Sequence, residues 1–246
     1  MRKGIALLLA AIFALSGCGS TGPATGTQTE TSGQTVAEQI SEEDVSSESG
    51  DETSASSSPD ETSAHESKET DIESKTLVIY FSRTGEQYTV GVIEKGNTAI
   101  VAEMIAEQTG ADLFEVLPED DHYPMTYDAL TDVAKQEQAD KARPAYAGEL
   151  PDLSAYDTIF VGAPVWWGDW PMIMYTVFEA SDFSGKTLIP FSTHEGSGLS
   201  GFDKKLESAC PGATVEKGLA VRGNDAQNAQ EKVRDSVSDW LSELGF

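Results

Sequence analysis

Five runs of apolar residues recur along the C-terminal part of the chain, and segments with helical spacing separate them. The apolar runs predict strands over 76–81, 111–117, 158–162, 187–191 and 213–221. The intervening segments place apolar residues three and four positions apart and predict helices over 97–109, 126–140, 172–180, 199–209 and 225–244. Continuous apolar strands of this kind are typical of a parallel sheet that is covered by helices on both faces.

This alternation predicts an α/β fold with a doubly wound, five-stranded parallel sheet. Crossovers between parallel strands are right-handed in nearly all such units. Five strands in this alternation suit a doubly wound sheet with the strand order 2-1-3-4-5. In that order the first, third and fourth strands are neighbours, so the loops that follow them meet in one crevice at the carboxyl edge of the sheet. Residues 76–246 are long enough for one such domain with a sizeable core.

The first 18 residues have the pattern of an export signal. Arg2 and Lys3 precede an apolar run over 5–15 that is too short to span a membrane as a helix. The run ends in LSGC at 15–18, which resembles the lipobox of bacterial lipoproteins. The resemblance implies that Cys18 is lipidated and anchors the chain at the extracytoplasmic face of the bacterial membrane. An ordinary signal peptide with an incidental cysteine is the alternative.

Charge separates the remaining chain into two segments. Residues 19–75 are rich in serine, threonine and glutamate and carry 14 acidic and 2 basic side chains. Such a segment buries too little apolar surface to offset the entropy of ordering it, so we predict a disordered acidic tether. Residues 76–246 carry 28 acidic and 12 basic side chains. This balance disfavours nucleic acid as a partner, because phosphate contacts need lysine and arginine.

The loop after the first strand is a candidate phosphate site. Hydroxyl groups, backbone N–H groups and a helix N-terminus can together bind a phosphate dianion. The residues of this loop and of the helix start that offer them are Ser82, Arg83, Thr84, Gly85, Asn97 and Thr98. The alternative is a strand-to-helix turn in which the serine and threonine only cap the helix.

The loops after the third and fourth strands suit a planar ring. A tryptophan offers a large flat face, and an adjacent glycine permits backbone orientations that other residues disfavour. The residues of the first of these loops are Pro164, Val165, Trp166, Trp167 and Gly168. Small residues in the second let backbone amides approach the polar edge of a ring, and its candidates are Thr193, His194, Gly196 and Gly198.

The first of the three loops resembles that of flavodoxins, and more closely that of the flavodoxin-like domains on bacterial lipoproteins. Flavodoxins usually carry Ser-x-Thr-Gly-Asn-Thr after the first strand. This chain has Ser82 to Gly85 and then Asn97-Thr98, so residues 86–96 constitute an insertion that splits the phosphate loop.

The other two loops extend the resemblance. Residues 167–169 read Trp-Gly-Asp, as in flavodoxins whose tryptophan stacks on the flavin, which implies that Trp167 rather than Trp166 does so. The third loop matches the pyrimidine-binding loop but lacks the tyrosine that covers the second ring face in many flavodoxins. We expect either His194 or Tyr88 to lie near that second ring face.

The resemblance implies FMN as the cofactor and an electron-transfer role outside the cytoplasmic membrane, with an unknown redox donor and acceptor. A flavin reductase linked to NAD(P)H or quinone is the second hypothesis, because the missing tyrosine leaves the outer ring face open. A flavin-free binding lipoprotein is the third. No Gly-x-Gly-x-x-Gly follows the first strand, and no histidines or cysteines have metal-ligand spacing.

Overall fold

The computed structural model describes residues 75–246. The predicted signal segment, Cys18 and residues 19–74 of the predicted tether lie outside the described residues. No helix of the described part is long and apolar enough to cross a membrane.

Eight strands and six helices alternate along residues 75–246, with a single 3-10 turn at Leu153–Ala155. The strands are β1 (Lys75–Tyr80), β2 (Gly85–Gln87), β3 (Gly91–Ile93), β4 (Asp112–Glu115), β5 (Tyr156–Pro164), β6 (Thr187–His194), β7 (Thr214–Val215) and β8 (Leu219–Arg222). The helices are α1 (Asn97–Thr109), α2 (Tyr127–Asp140), α3 (Met172–Ala180), α4 (Phe202–Ala209), α5 (Gly223–Asn228) and α6 (Gln230–Leu244).

The main sheet is parallel and has the order β4-β1-β5-β6, with β7 and β8 both paired to β6 on its outer side. Counting β7 and β8 as one interrupted strand, this is the predicted doubly wound order 2-1-3-4-5. The α/β fold class is therefore confirmed. The switch in winding direction lies between β1 and β5, where such sheets bind their ligands.

Helices cover both faces of the sheet because successive residues of a strand point to opposite sides. On one face, Leu77 and Ile79 of β1 pack in a core with α3 and the buried Phe202 of α4. On the other face, Val78 and Phe160 pack in a second core with α1 and α6. Burial on both sides explains why the central strands read as continuous apolar runs.

The fifth strand is interrupted, whereas the sequence pattern predicted one strand over 213–221. The Glu216 N–H donates to the carbonyl of Leu188 at 2.9 Å, so the backbone of Leu188, and by alternation that of Pro190, faces the fifth strand. Proline has no N–H to donate. The pairing accordingly gains one residue over 216–218 as it passes Pro190, and β8 resumes opposite Phe191.

The closing helix also differs from the prediction of one helix over 225–244. It consists of α5 and α6, which meet at Ala229 with φ −140° and ψ 47°. The side-chain amide of Gln227 donates to the carbonyl of Lys95 and to the side-chain oxygen of Asn97, both at 2.8 Å. These distant contacts hold α5 beside the start of α1, which no local pattern could predict.

The insertion at 86–96 folds largely into an antiparallel hairpin of β2 and β3. Gly85 pairs with Ile93, and Gln87 pairs with Gly91. The Glu86 N–H donates to the carbonyl of Met125 at 2.8 Å, and the Glu86 carboxylate accepts from the Tyr127 N–H at 2.9 Å. The hairpin is therefore fastened to the start of α2.

Candidate functional site

The three loops predicted to converge meet at the carboxyl ends of β1, β5 and β6. The hydroxyl oxygens of Thr98 and Thr193 lie 2.8 Å apart in the buried interior, which joins the first loop to the third. The Val165 N–H donates to the carbonyl of Thr193 at 2.9 Å, which joins the second loop to the third. Parallel strands end at the same edge of a sheet, and this juxtaposition follows from the strand order.

A cleft of about 260 Å³ opens between these loops, the hairpin, α2 and α5. Its lining residues are Gln87, Tyr88, Asn97, Tyr127, Pro164, Val165, Trp166, Thr193, His194, Glu195, Ser197 and Gly223. Six of the predicted site residues are among them: Asn97, Pro164, Val165, Trp166, Thr193 and His194. The other predicted residues lie around the cleft and shape the turns that border it.

The start of α1 lies at one side of the cleft. Ser82 accepts a hydrogen bond from the Ala99 N–H at 3.0 Å, so its hydroxyl caps the helix and keeps its own hydrogen to donate. The Asn97 and Thr98 N–H groups precede the first intrahelical bond, which runs from the Ile100 N–H to Gly96 at 3.2 Å. A helix N-terminus of this kind favours an anion, so capping and phosphate binding are compatible here.

Gly96 permits this arrangement because it has no side chain. A Cβ atom at position 96 would lie 2.1 Å from the hydroxyl oxygen of Ser82. Ser82 can therefore reach α1 only while position 96 is glycine.

The second half of the first loop, residues 83–85, contacts the hairpin and the segment before α2. The Arg83 guanidinium, whose side chain is 9% exposed, bonds both carboxylate oxygens of Asp121 at 2.8 and 2.9 Å and the Tyr123 carbonyl at 2.9 Å. The Thr84 carbonyl accepts from the Gln87 amide at 3.3 Å. Gly85 has φ +85°, and a Cβ there would meet Met125 at 2.7 Å. The Arg83 charge is thus directed to Asp121, and Arg83 does not line the cleft.

Trp166 and Trp167 separate at a tight turn. Trp166 and Asp169 exchange two backbone hydrogen bonds, at 3.0 and 2.9 Å. Trp167 and Gly168 between them have φ values of 48° and 74°, as in a type I′ turn. Trp166 packs edge-on against Phe81 and lines the cleft.

The indole of Trp167 faces α2 and does not line the cleft. It is 52% exposed, and its Nε1–H donates to the carbonyl of Thr131 at 2.8 Å. Of the two indoles, Trp166 therefore lines the cleft, whereas the sequence motif favoured Trp167. The turn geometry, which the sequence did not reveal, directs successive tryptophans to different neighbours. That either indole stacks on a flavin stays a prediction.

His194 presents a neutral donor in the third loop. Its Nδ1 accepts from the Gly196 N–H at 2.8 Å, so in the neutral ring the proton is on Nε2. Burial lowers the pKa of His194 below its usual value, which favours this neutral form. Gly196 and Gly198 have positive φ values of 129° and 62° and form the bend of the loop.

Tyr88 and Tyr127 form an aromatic pair at the cleft. Their ring centroids are 5.4 Å apart with an interplanar angle of 28°. Sequence reasoning left the second ring face to His194 or Tyr88, and both of these side chains line the cleft. Tyr127 was missed because it lies at the start of α2, outside the three loops. The hairpin positions Tyr127 at the cleft, because the Glu86 carboxylate accepts a hydrogen bond from the Tyr127 N–H.

The described residues contain little other chemistry. No group of three histidine, cysteine, aspartate or glutamate side chains within 75–246 could hold a metal ion. Cys210 is buried, and burial raises the pKa of its thiol to about 12, so it stays protonated and unreactive.

Comparison with known proteins agrees with this architecture. Residues 75–243 match the sequence profile of the family described as flavodoxin. The chain belongs to the flavodoxin family. A solved structure from Bacteroides uniformis ATCC 8492, named as a flavoprotein, is 32% identical with a TM-score of 0.55 over 69% of this chain and 98% of that chain. Another, from Bacteroides eggerthii DSM 20697, is 26% identical with a TM-score of 0.56 over 70% and 99%.

A flavoprotein in complex with FMN from Lactobacillus acidophilus NCFM is 21% identical to this flavodoxin-family chain. Its TM-score is 0.48, over 63% of this chain and 99% of that chain. No curated protein matched the sequence.

Proposed function

We propose that this flavodoxin-family chain binds FMN in the cleft and transfers electrons outside the cytoplasmic membrane, held there by lipid on Cys18. The observation that carries the proposal is the convergence of three loops on one cleft, with a helix N-terminus at one side and Trp166 in its wall. Bound FMN would supply the redox chemistry, and the protein would bind it, orient it and tune its potential.

The phosphate end of the cleft offers hydrogen-bond donors to a dianion, and no lysine or arginine among residues 75–246 lines the cleft. The Asn97 and Thr98 N–H groups lie at the free start of α1, and Ser82 has a hydroxyl hydrogen to donate. Within the Thr98–Thr193 pair, one hydroxyl donates to the other, which leaves one further hydrogen available. Hydrogen bonds of this kind to a charged acceptor are stronger than neutral ones.

The ring end of the cleft fits a flat, partly apolar group. Trp166 is fixed edge-on against Phe81 and against Tyr123, with centroids 5.4 and 5.3 Å away. The Tyr88–Tyr127 pair is a second aromatic surface, supplied by the hairpin and α2 in place of a tyrosine in the third loop. The Nε2–H of His194 is a neutral donor for a polar ring edge.

The sequence supports the proposed location at the membrane and the proposed separate redox partners. A lipid on Cys18 would hold the chain at the membrane, and residues 19–75, with their excess of acidic side chains, would separate the domain from the surface. The acidic excess of residues 76–246 opposes adsorption to anionic headgroups. The domain would then stay in solution near the membrane and exchange electrons with a separate donor and acceptor.

The test begins with the purified full-length protein and its visible spectrum. We expect a yellow protein that releases FMN, identified by mass, and that keeps little colour when Thr98 and Trp166 are both replaced. A colourless protein that fails to bind added FMN would instead favour a flavin-free binding lipoprotein. Rapid oxidation of NADH or NADPH by the yellow protein would identify a reductase rather than a carrier.

A further inference from the structure

A second cavity, here called the ring cavity, adjoins the proposed flavin cleft. It encloses about 190 Å³, and its lining residues are Gln87, Tyr127, Leu130, Thr131, Ala134, Val165, Trp166 and Trp167. Gln87, Tyr127, Val165 and Trp166 also line the cleft. A molecule in the ring cavity would therefore contact the same side chains as an occupant of the cleft.

We infer that the ring cavity binds a small, uncharged molecule with one aromatic ring, of the class of phenols. The inference deepens the proposed function and rests on it, because it names the kind of small molecule that would lie beside the flavin. The inference concerns binding only. The volume, the walls and the polar groups of the ring cavity each favour a phenol.

The volume matches a single ring. A cavity of about 150 Å³ is enough to hold one benzene molecule. The ring cavity is somewhat larger, at about 190 Å³, which leaves room for one or two small substituents. A nicotinamide dinucleotide or a polycyclic ligand is too large to be enclosed here.

The walls are aromatic and uncharged. Trp166, Trp167 and Tyr127 offer ring surfaces, and Leu130, Ala134 and Val165 are apolar. Among residues 75–246, no aspartate, glutamate, lysine, arginine or histidine lines the ring cavity. An ionised ligand would thus lose its hydration without gaining a partner, whereas a neutral ring would gain stacking and apolar contacts.

The backbone conformation and the indole contacts of Trp167 fix its side chain in the wall of the ring cavity. A non-glycine residue at φ 48° is uncommon, and such strain tends to occur at functional sites. The Nε1–H bond to Thr131 and the ammonium of Lys135, 5.0 Å from the ring centroid, fix the indole against α2. The turn thereby places Trp167 in the ring cavity while Trp166 remains between the two spaces.

Gln87 supplies a polar contact for a ligand hydroxyl. Its amide nitrogen donates to the Thr84 carbonyl at 3.3 Å, and its amide oxygen has no partner within residues 75–246. The Thr131 hydroxyl is already engaged as a donor to the Asp128 carbonyl at 2.8 Å. The matching ligand is therefore a neutral ring that carries one hydrogen-bond donor.

The probe is p-cresol, which is neutral, redox-inert and limited to one ring. It is titrated into the FMN-loaded, full-length protein while the indole N–H signals are followed by NMR. We expect saturable shifts for Trp166 and Trp167 and none for Trp240, which lies in the other core. We expect 4-methylcyclohexanol and 4-methylbenzoate, matched in size but saturated or charged, to bind at least tenfold more weakly.

A pair of variants on α2 tests the location. Ala134→Leu fills the ring cavity and should weaken p-cresol binding at least tenfold, whereas Ala139→Leu, at an exposed position of the same helix, should not. Both variants should bind FMN as wild type does, which shows that the fold is kept.

Three results would overturn the inference. They are no saturable shift, equal binding of the saturated analogue, and competitive displacement of p-cresol by FMN, which would make the ring cavity part of the flavin cleft. Failure to bind FMN at all would refute the proposed function instead, and p-cresol titration of the flavin-free protein would still report on the cavity.

Discussion

The ammonium group of Lys205 on α4 donates a hydrogen bond to the carbonyl oxygen of Gly168. Lys205 also donates to the Ser200 carbonyl at 3.0 Å and lies 3.4 Å from the carboxylate of Asp169. The turn that carries the two tryptophans is therefore tied to the start of α4 by one cation. Because Trp166 of this turn lines the cleft proposed for FMN, this cation is positioned to affect the flavin potential.

We expect Lys205→Met to widen the gap between the two one-electron potentials of bound FMN by roughly 60 mV, a tenfold change in a one-electron equilibrium. The substitution frees the Gly168 carbonyl. It also removes a positive charge that favours the anionic, fully reduced flavin, so the potential of the second reduction step should fall. Spectroelectrochemical titration measures both potentials. Lys204→Met is the matched control, since the Lys204 side chain is 77% exposed and its only ion pair within residues 75–246 is with Glu207 at 3.6 Å. Equal widening in both variants would contradict a specific role for Lys205.

Thr98→Val should distinguish FMN from riboflavin. If a hydroxyl of the Thr98–Thr193 pair bonds the phosphate, its loss should weaken FMN binding by about 1–3 kcal/mol and leave riboflavin binding nearly unchanged. Fluorescence titration of the flavin-free protein gives both affinities. Thr109→Val, at the far end of α1, is the control. Equal losses for the two flavins would mean that this turn does not contact phosphate.

Trp166→Leu should weaken FMN binding by about 1–3 kcal/mol, the range for a base stacked on an aromatic side chain. Trp167→Leu should cost less than about 0.5 kcal/mol, a typical limit for surface substitutions away from a binding site. Flavin binding should also quench the tryptophan fluorescence less in the Trp166 variant. The opposite ranking of the two variants would restore the preference that the sequence motif suggested.

The His122–Glu137 pair should make stability depend on pH. His122 Nε2 lies 2.8 Å from the Glu137 carboxylate, and this hydrogen bond raises the pKa of His122. The protonated ring is therefore favoured in the folded state. Its stabilisation is complete below the unfolded pKa of about 6.5 and is lost as pH rises through the higher folded pKa.

We accordingly expect His122→Gln to lower the free energy of unfolding by up to about 1 kcal/mol at pH 5.5, since the pair is partly exposed. Near pH 9 the variant and wild type should differ less. Urea unfolding at the two pH values measures this difference. A deficit that grows toward alkaline pH would refute the assignment.

Cys18→Ala should release the protein from the membrane fraction, because it removes the residue proposed to carry the lipid, and stable anchoring needs two lipid chains. Fractionation of cells, with detection of the mature chain, measures the distribution. Retention of the variant as firm as that of wild type would show that another feature holds the protein there.

The sequence predicted the sheet because its central strands are buried on both faces, and burial leaves a continuous apolar run that needs no tertiary information. It missed what depends on distant contacts. The interruption of the fifth strand follows from Pro190 in the neighbouring strand, and the break at Ala229 accompanies a contact between Gln227 and Asn97. In each case one of the residues involved, Pro190 or Asn97, lies outside the segment that is interrupted.

The candidate site likewise contains residues that the sequence could place and residues whose contacts depend on the folded chain. Asn97, Thr193 and His194 could be placed at the cleft from the sequence, because they lie at the start of the first helix and at the end of a strand whose positions the pattern predicted. Arg83 was a candidate for the phosphate site, but its bond to Asp121 could not be predicted, since the two residues are 38 positions apart and only the folded chain brings them together. The roles of Trp166 and Trp167 depend on a turn type, which adjacent aromatic residues do not disclose.

The hairpin makes the split phosphate loop modular. Its base is fixed, because Gly96 contacts Ser82 and Gly85 contacts Met125 too closely for any side chain. Its tip is open, since a Cβ at Gly91 would meet nothing within 4 Å among the described residues. We therefore expect insertions to be tolerated at the tip and to be disruptive at the base. A recognition peptide or a fluorescent label grafted between Tyr88 and Gly91 would leave the start of α1 in place.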